Sequence, residues 1–147
     1  MKTEPSTYSI DDLKRDKTTH WEGIRNYQAR NFMMHDMSIQ DPVLIYHSNA
    51  KPPGIVGLAR VCSDPYPDFF AWDASSQYAD PASTPEHPRW FMVDVAFEQQ
   101  FSTMISLQTL KDDPMLADML VVKKGVRLSI QPVKYETFQY IMNQYVL

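Results

Sequence analysis

The residues of this chain best suited to chemistry are aromatic rings beside polar side chains at the ends of apolar segments. Trp21 precedes Arg25 and Asn26, His47 and Ser48 follow the run PVLIY, Trp90 follows Pro88 and Arg89, and Arg127, Ser129 and Gln131 alternate through RLSIQPV. An indole offers a face on which a nucleobase stacks, and Arg, Asn, Ser and Gln carry donors and acceptors that read a base edge. Composition alone favours a plainer reading, with Trp21 and Trp90 in the core and the arginines solvated.

Other chemistries have less support. His20, His35, His47, His87 and Cys62 show no HxxxH or CxxC spacing, so neither a metal site nor a cofactor is expected. His47, Ser48 and Asp94 are hydrolase residue types, but neighbours on a strand point to opposite faces and there is no GxSxG elbow. Gly54 and Gly57 have GxxG spacing, yet the RNA-clamping motif joins two helices and here the pair opens an apolar strand. A turn glycine plus one packed against a close neighbour is the expectation. No phosphate loop or dinucleotide fingerprint occurs. Cys62 reads as a small apolar filler.

A chain of 147 residues fits one domain, residues 1–147. No apolar run approaches the length of a membrane span, and the start MKTEPSTYSIDDL lacks the apolar region of a secretory signal. With a lone cysteine compatible with a reducing compartment, a cytoplasmic location is expected. The net charge of -4 argues against bulk electrostatic binding to nucleic acid and leaves room only for a local site. Between Val61 and Glu98 the acids Asp64, Asp68, Asp73, Asp80, Glu86, Asp94 and Glu98 face one base, Arg89, whereas Lys14, Arg15, Lys17, Arg25 and Arg30 cluster early. A basic face would have to combine that early cluster with Lys123, Lys124 and Arg127.

The elements that must position these residues follow from local signals. Ser9 and Asp12 have capping-box spacing before a short helix with Ile10 and Leu13 inward. Asn26 is an N-cap for a helix over 27–37. PVLIYH and GIVGLARVC read as a hairpin across SNAKPP, and WFMVDVAF, residues 90–97, as a third strand of period two. Residues 63–88 are rich in Pro, Asp and Ser yet hold Phe69, Phe70, Trp72 and Tyr78, which predicts an ordered excursion over a site. SLQTLKDD and MLADML are short helical pieces split by Pro114, RLSIQPV is a strand closed by Pro132, and a helix over 134–146 lines up Tyr135, Phe138, Ile141, Met142 and Tyr145. Irregular strand spacing interrupted by short helices points to an α+β domain around a small mixed or antiparallel barrel.

Five ordered motifs carry a resemblance that spans essentially the whole chain: KTEPSTYSIDDL at 2–13, WEGIRNYQARNFM at 21–33, YHSNAKPPGIVGLARV at 46–61, PRWFMVDVAF at 88–97 and RLSIQPV at 127–133. The chain resembles the EVE domain family, of PUA-like fold and related to the YTH domains. That resemblance implies a pseudobarrel with flanking short helices and a pocket for a modified base flipped from nucleic acid, a modified cytosine such as 5-methylcytosine in DNA, with RNA as the other substrate. Carried over by motif, the pocket would involve Lys2, Glu4, Trp21, Arg25, Asn26, His47, Ser48, Trp90, Arg127, Ser129 and Gln131. Family members carry a few apolar or aromatic residues before the K[ST]EP motif; here Met1 directly precedes it, so either the first strand is short or the start lies upstream. One stacked base contributes only on the order of 1 to 3 kcal/mol, so a partner effector module, a homodimer or flanking-strand contacts would be needed for useful affinity. The alternatives are a base- or nucleotide-processing enzyme, with His47 or Glu4 as general acid or base, and an interaction domain with a vestigial pocket.

Overall fold

A computed structural model describes residues 1–146. In chain order the elements are β1 (Lys2–Thr3), α1 (Ile10–Asp16), β2 (Thr18–His20), α2 (Tyr27–His35), β3 (Pro42–His47), β4 (Gly54–Val61), β5 (Tyr66–Pro67), β6 (Phe91–Met92), β7 (Asp94–Ser106), α3 (Leu107–Asp112) and α4 (Tyr135–Ile141). Short 3-10 turns occupy Phe69–Trp72, Pro114–Leu116 and Leu120–Val122. Five strands form one mixed sheet in the order β1-β3-β4-β7-β2, with β1 parallel to β3 and every other pairing antiparallel. Register shifts at Ile45/Tyr46, Ile55/Gly57 and Leu58/Ala59 bend the strands, and the sheet curls into the half-barrel of a PUA-like α+β fold. Strands β5 and β6 make a separate two-stranded ladder.

Period-two alternation sends apolar side chains to both faces of this sheet. Val43 and Ile45 join Val61, Val95, Leu13 and Met33 in one cluster, while Leu44 and Tyr46 pack with Leu58, Phe101, Leu110 and Ile141 in another. Helices α1 and α2 cover the first cluster, and α3 and α4 contribute to the second. Gly57 sits where a Cβ would stand 2.6 Å from the Gln99 carbonyl and 2.7 Å from Ile10, so strand and helix approach only because it lacks a side chain.

Both helix starts form as their residues predict. The Ser9 hydroxyl accepts from the Asp12 N–H while the Asp12 carboxylate accepts from the Ser9 N–H, and the Asn26 side chain accepts from the Ala29 N–H. Helix α2 stops at His35, short of the expected 37. Strand β7 is longer than its alternation suggested, running through the polar stretch to Ser106, and the ladder is interrupted at Val93, whose carbonyl accepts from the Trp21 N–H instead. At the carboxyl end Tyr135 starts α4 but is exposed, and Met142–Val146 form a π turn.

Two expectations are corrected. RLSIQPV is not a strand: the Ser129 carbonyl takes one hydrogen bond from the Lys2 N–H, but Pro132 has no N–H to extend a ladder and the Gln131 side chain closes a local turn onto the Leu128 carbonyl. Cys62 is exposed rather than a buried filler, lying just past the end of β4 at Val61; the slight burial that remains and the nearby Asp94 raise its thiol pKa. Among the described residues no helix is long and apolar enough to cross a membrane.

His47 carries a pH consequence. Its Nε2 accepts the Ile10 N–H at 3.1 Å, a first-turn donor that α1 cannot satisfy itself. Burial pushes the ring below its ordinary 6.5, against an opposing pull from Asp11. The folded pKa is depressed, so the contribution is intact above about pH 6.5 and is lost as pH falls through the folded value. Denaturant unfolding is expected to show this acid-side slope in the native chain and to lack it in His47→Gln, whose amide oxygen can accept the same bond.

Candidate nucleic-acid interface

Strand β2 and the start of the connection that follows it set one wall of a polar cavity. Thr18, Thr19, His20, Trp21 and Glu22 line it from this segment, Thr7, Tyr8 and Asp16 from around α1, Tyr66, Gln77 and Tyr78 from the excursion, and Asp94 from β7. Its volume is about 580 Å³, inside the range of roughly 300 to 1,000 Å³ typical of ligand sites. Trp21 is buried at 8% exposure, yet its indole N–H has no acceptor among the described residues; because no side-chain polar atom among them is both enclosed and unpaired, solvent reaches that N–H.

The cavity holds more acceptors than donors. Glu22 meets His20 Nδ1 through one oxygen at 2.7 Å, and Asp94 accepts from the Tyr66 hydroxyl through one oxygen at 2.5 Å, leaving the second oxygen of each without a protein partner among the described residues. Asp16 is committed to Arg15 and Tyr8. Partial burial alone would lower the His20 pKa, but the Glu22 carboxylate, together with a backbone hydrogen bond and the charge of Asp94, raises it overall. Burial and the bond to Asp94 push the Tyr66 phenol well up, so it remains a donor.

One buried ion pair locks the excursion onto this wall. Asp68, fully buried, accepts from the Gly23 N–H at 2.9 Å, the Phe70 N–H at 2.9 Å and Arg25 Nη1 at 3.0 Å. Arg25 also donates twice to the Tyr78 carbonyl. Gly23 has φ +88°, and a Cβ there would stand 2.7 Å from the Tyr78 ring, so the aromatic wall closes only over a glycine.

Of the residues singled out from sequence, Trp21 alone lines this cavity. Arg25 sits behind Tyr78, Asn26 caps α2, and Trp90, 5% exposed, donates its indole N–H to Asp80 and stacks on Tyr27 at 4.9 Å. His47 caps α1, and the Ser48 N–H donates to the Thr3 carbonyl. Lys2, Ser129 and Gln131 come together elsewhere, around a space of about 40 Å³ beside Tyr46. Glu4 and Arg127 are exposed. The lining residues that pattern reading missed had signals: His20 and Glu22 flank Trp21, Asp94 is the one charge inside WFMVDVAF, and Tyr66 and Tyr78 belong to the aromatic excursion.

A mixed half-barrel with short helices on both faces and a polar cavity at the β2 edge is a PUA-like domain. The EVE domain matches residues 1–144, and the chain belongs to that family. Mouse and human thymocyte nuclear protein 1 are 37% and 36% identical to it, each alignment covering 97% of this chain and 71% of the relative. A Pseudomonas syringae crystal structure superposes with a TM-score of 0.94 at 39% identity, over 97% of this chain and 95% of that one. A crystal structure of human THYN1 in complex with 5-methylcytosine-containing DNA superposes with a TM-score of 0.90 at 36% identity, over 97% and 94%.

Removing one partner of the buried pair is expected to loosen the excursion. Asp68→Ala should lower the unfolding free energy by about 3 kcal/mol, because it leaves the Arg25 guanidinium without its anion. Limited proteolysis should then cut first between residues 63 and 88, whereas an unchanged cleavage pattern would mean the excursion is held by other contacts.

Proposed function

We propose that this chain is a non-enzymatic nucleic-acid-binding module, acting as one domain, that takes a modified cytosine of the 5-methylcytosine kind from a DNA strand into the cavity beside Trp21. The observation that carries the reading is an aromatic wall, Trp21 and Tyr78, facing two half-free carboxylates, Glu22 and Asp94. Carboxylates only accept hydrogen bonds. Cytosine presents an exocyclic amino donor where thymine presents a carbonyl acceptor, so this lining attracts 5-methylcytosine and repels thymine although both carry the C5 methyl. The Trp21 N–H and the Thr18 hydroxyl supply donors for the acceptor atoms of the same base. The THYN1 complex with 5-methylcytosine-containing DNA supports the choice of ligand and of DNA.

Binding rather than catalysis is supported by His47, whose Nε2 is committed to the Ile10 N–H and lies outside the cavity lining. Stacking of one base is worth on the order of 1 to 3 kcal/mol, so contacts to the flanking strand, a homodimer or a partner module complete the affinity.

Titration of labelled oligonucleotides that differ at one position tests the proposal. A strand with 5-methylcytosine is expected to bind about fourfold tighter than plain cytosine, from roughly 0.8 kcal/mol for one buried methyl, and at least about tenfold tighter than thymine. Glu22→Gln should narrow the gap to thymine, because an amide can donate to its carbonyl. Equal affinity for methylated and plain strands would falsify the modified-base reading, and tighter binding to the matching RNA would move the ligand from DNA to RNA.

A further inference from the structure

Three arginines converge on one aromatic pair a single side-chain layer from the cavity. The guanidinium carbons of Arg25, Arg30 and Arg89 lie 5.6, 5.9 and 5.9 Å from the Trp90 ring centre, and Arg30 and Arg89 lie 4.7 and 5.5 Å from that of Tyr27. Arg89 Nε donates to the Tyr27 hydroxyl, and Arg30 Nη1 donates to the Arg89 carbonyl, so the two cations are held in one unit. Two carboxylates oppose three cations. Asp68 serves Arg25, and Asp80, already accepting from Trp90, stands 3.6 Å from Arg89. Arg30 has no ion pair among the described residues; its only side-chain acceptor is the neutral Asn31.

Like charges this close repel, and the packing against Tyr27 and Trp90 holds them together regardless. An anion placed between Arg30 and Arg89 would offset that repulsion. Both keep unused N–H donors, since a guanidinium has five: Arg30 spends three on Asn31 and the Arg89 carbonyl, and Arg89 spends one on Tyr27. The patch is open to solvent, with the Arg89 side chain 40% and Tyr27 46% exposed. Arg25 joins it to the cavity, lying 5.7 Å from the ring of the cavity-lining Tyr78 and 5.6 Å from that of Trp90.

We propose that Arg30 and Arg89 clamp a backbone phosphate of the strand whose base occupies the cavity, which rests on the reading of the cavity given above. The planar guanidinium forks match phosphate geometry, and the contacts from Tyr78 through Arg25 to Trp90 put the patch beside the cavity that would hold the base. The clamp is indifferent to sequence and to methylation; it holds the strand, and the cavity selects the base.

The test is the salt dependence of binding to single-stranded oligonucleotides with and without 5-methylcytosine, measured from about 50 to 200 mM salt. Arg30→Gln with Arg89→Gln should flatten the slope of log affinity against log salt by about 0.7 for the phosphate lost and weaken both strands alike, leaving their ratio unchanged. Arg89→Lys alone should keep the native slope, since it preserves the charge while losing the fork that bonds Tyr27. A native slope in the double glutamine variant, or a flattened one in Arg89→Lys, overturns the clamp. If methylated and plain strands bind equally while the slope still flattens, the clamp stands and the base reading falls.

Discussion

The buried carboxylate of Asp68 is the constraint on which the site depends. A charge wholly removed from water persists only when a counter-charge and hydrogen bonds replace its hydration. Here the replacements are the Gly23 N–H, the Phe70 N–H and the Arg25 guanidinium, drawn from the connection after β2 and from the excursion itself. Because the bonds from Gly23 and Arg25 join segments more than 40 residues apart in sequence, the excursion cannot leave the half-barrel without exposing or orphaning that charge. Tyr78 is thereby pressed against Gly23, and Trp21 and Glu22 on one side face Tyr66 and Tyr78 on the other.

The same pair separates two electrostatic neighbourhoods. Acceptors from Glu22 and Asp94 collect inside the cavity, and the cations of Arg30, which has no ion pair among the described residues, and Arg89, which shares Asp80 with Trp90, collect outside it, with Arg25 between them contacting both Tyr78 and Trp90. In water at ordinary ionic strength, charges beyond about 10 Å of one another are largely screened, so each neighbourhood acts on what touches it. A net charge of -4 is therefore a poor guide to what the surface beside Tyr27 attracts.

Rigid support underlies both. Trp90 is wedged between Tyr27 and the arginines with its indole N–H on Asp80, and Arg89, its chain neighbour, takes the Ser83 hydroxyl on its own N–H. The excursion is thus tied to α2 and to its own turn as well as to Arg25. Its two-stranded ladder, Tyr66 and Pro67 against Met92 and Phe91, fixes the phenol that bonds Asp94.

What the amino-acid order determined alone was whatever is decided within a few residues. Ser9 with Asp12 and Asn26 with Ala29 cap their helices because side chain and backbone partners are three apart, and PVLIYH with GIVGLARV pairs because alternation and turn chemistry agree. The fold class and the family were legible in five ordered motifs, and the ordered excursion in its aromatics. Tertiary structure alone decided the extent of β7, the irregular path of RLSIQPV, the exposure of Cys62 and the membership of the cavity. Each depends on which distant backbone or charge arrives beside it: Trp21 taking the Val93 carbonyl, Lys2 reaching only Ser129, Asp94 meeting Tyr66, Arg25 finding Asp68. Motif positions such as His47, Asn26 and Arg25 look equally polar in the chain, and only their partners show that they brace the structure while His20, Glu22 and Asp94 face the cavity.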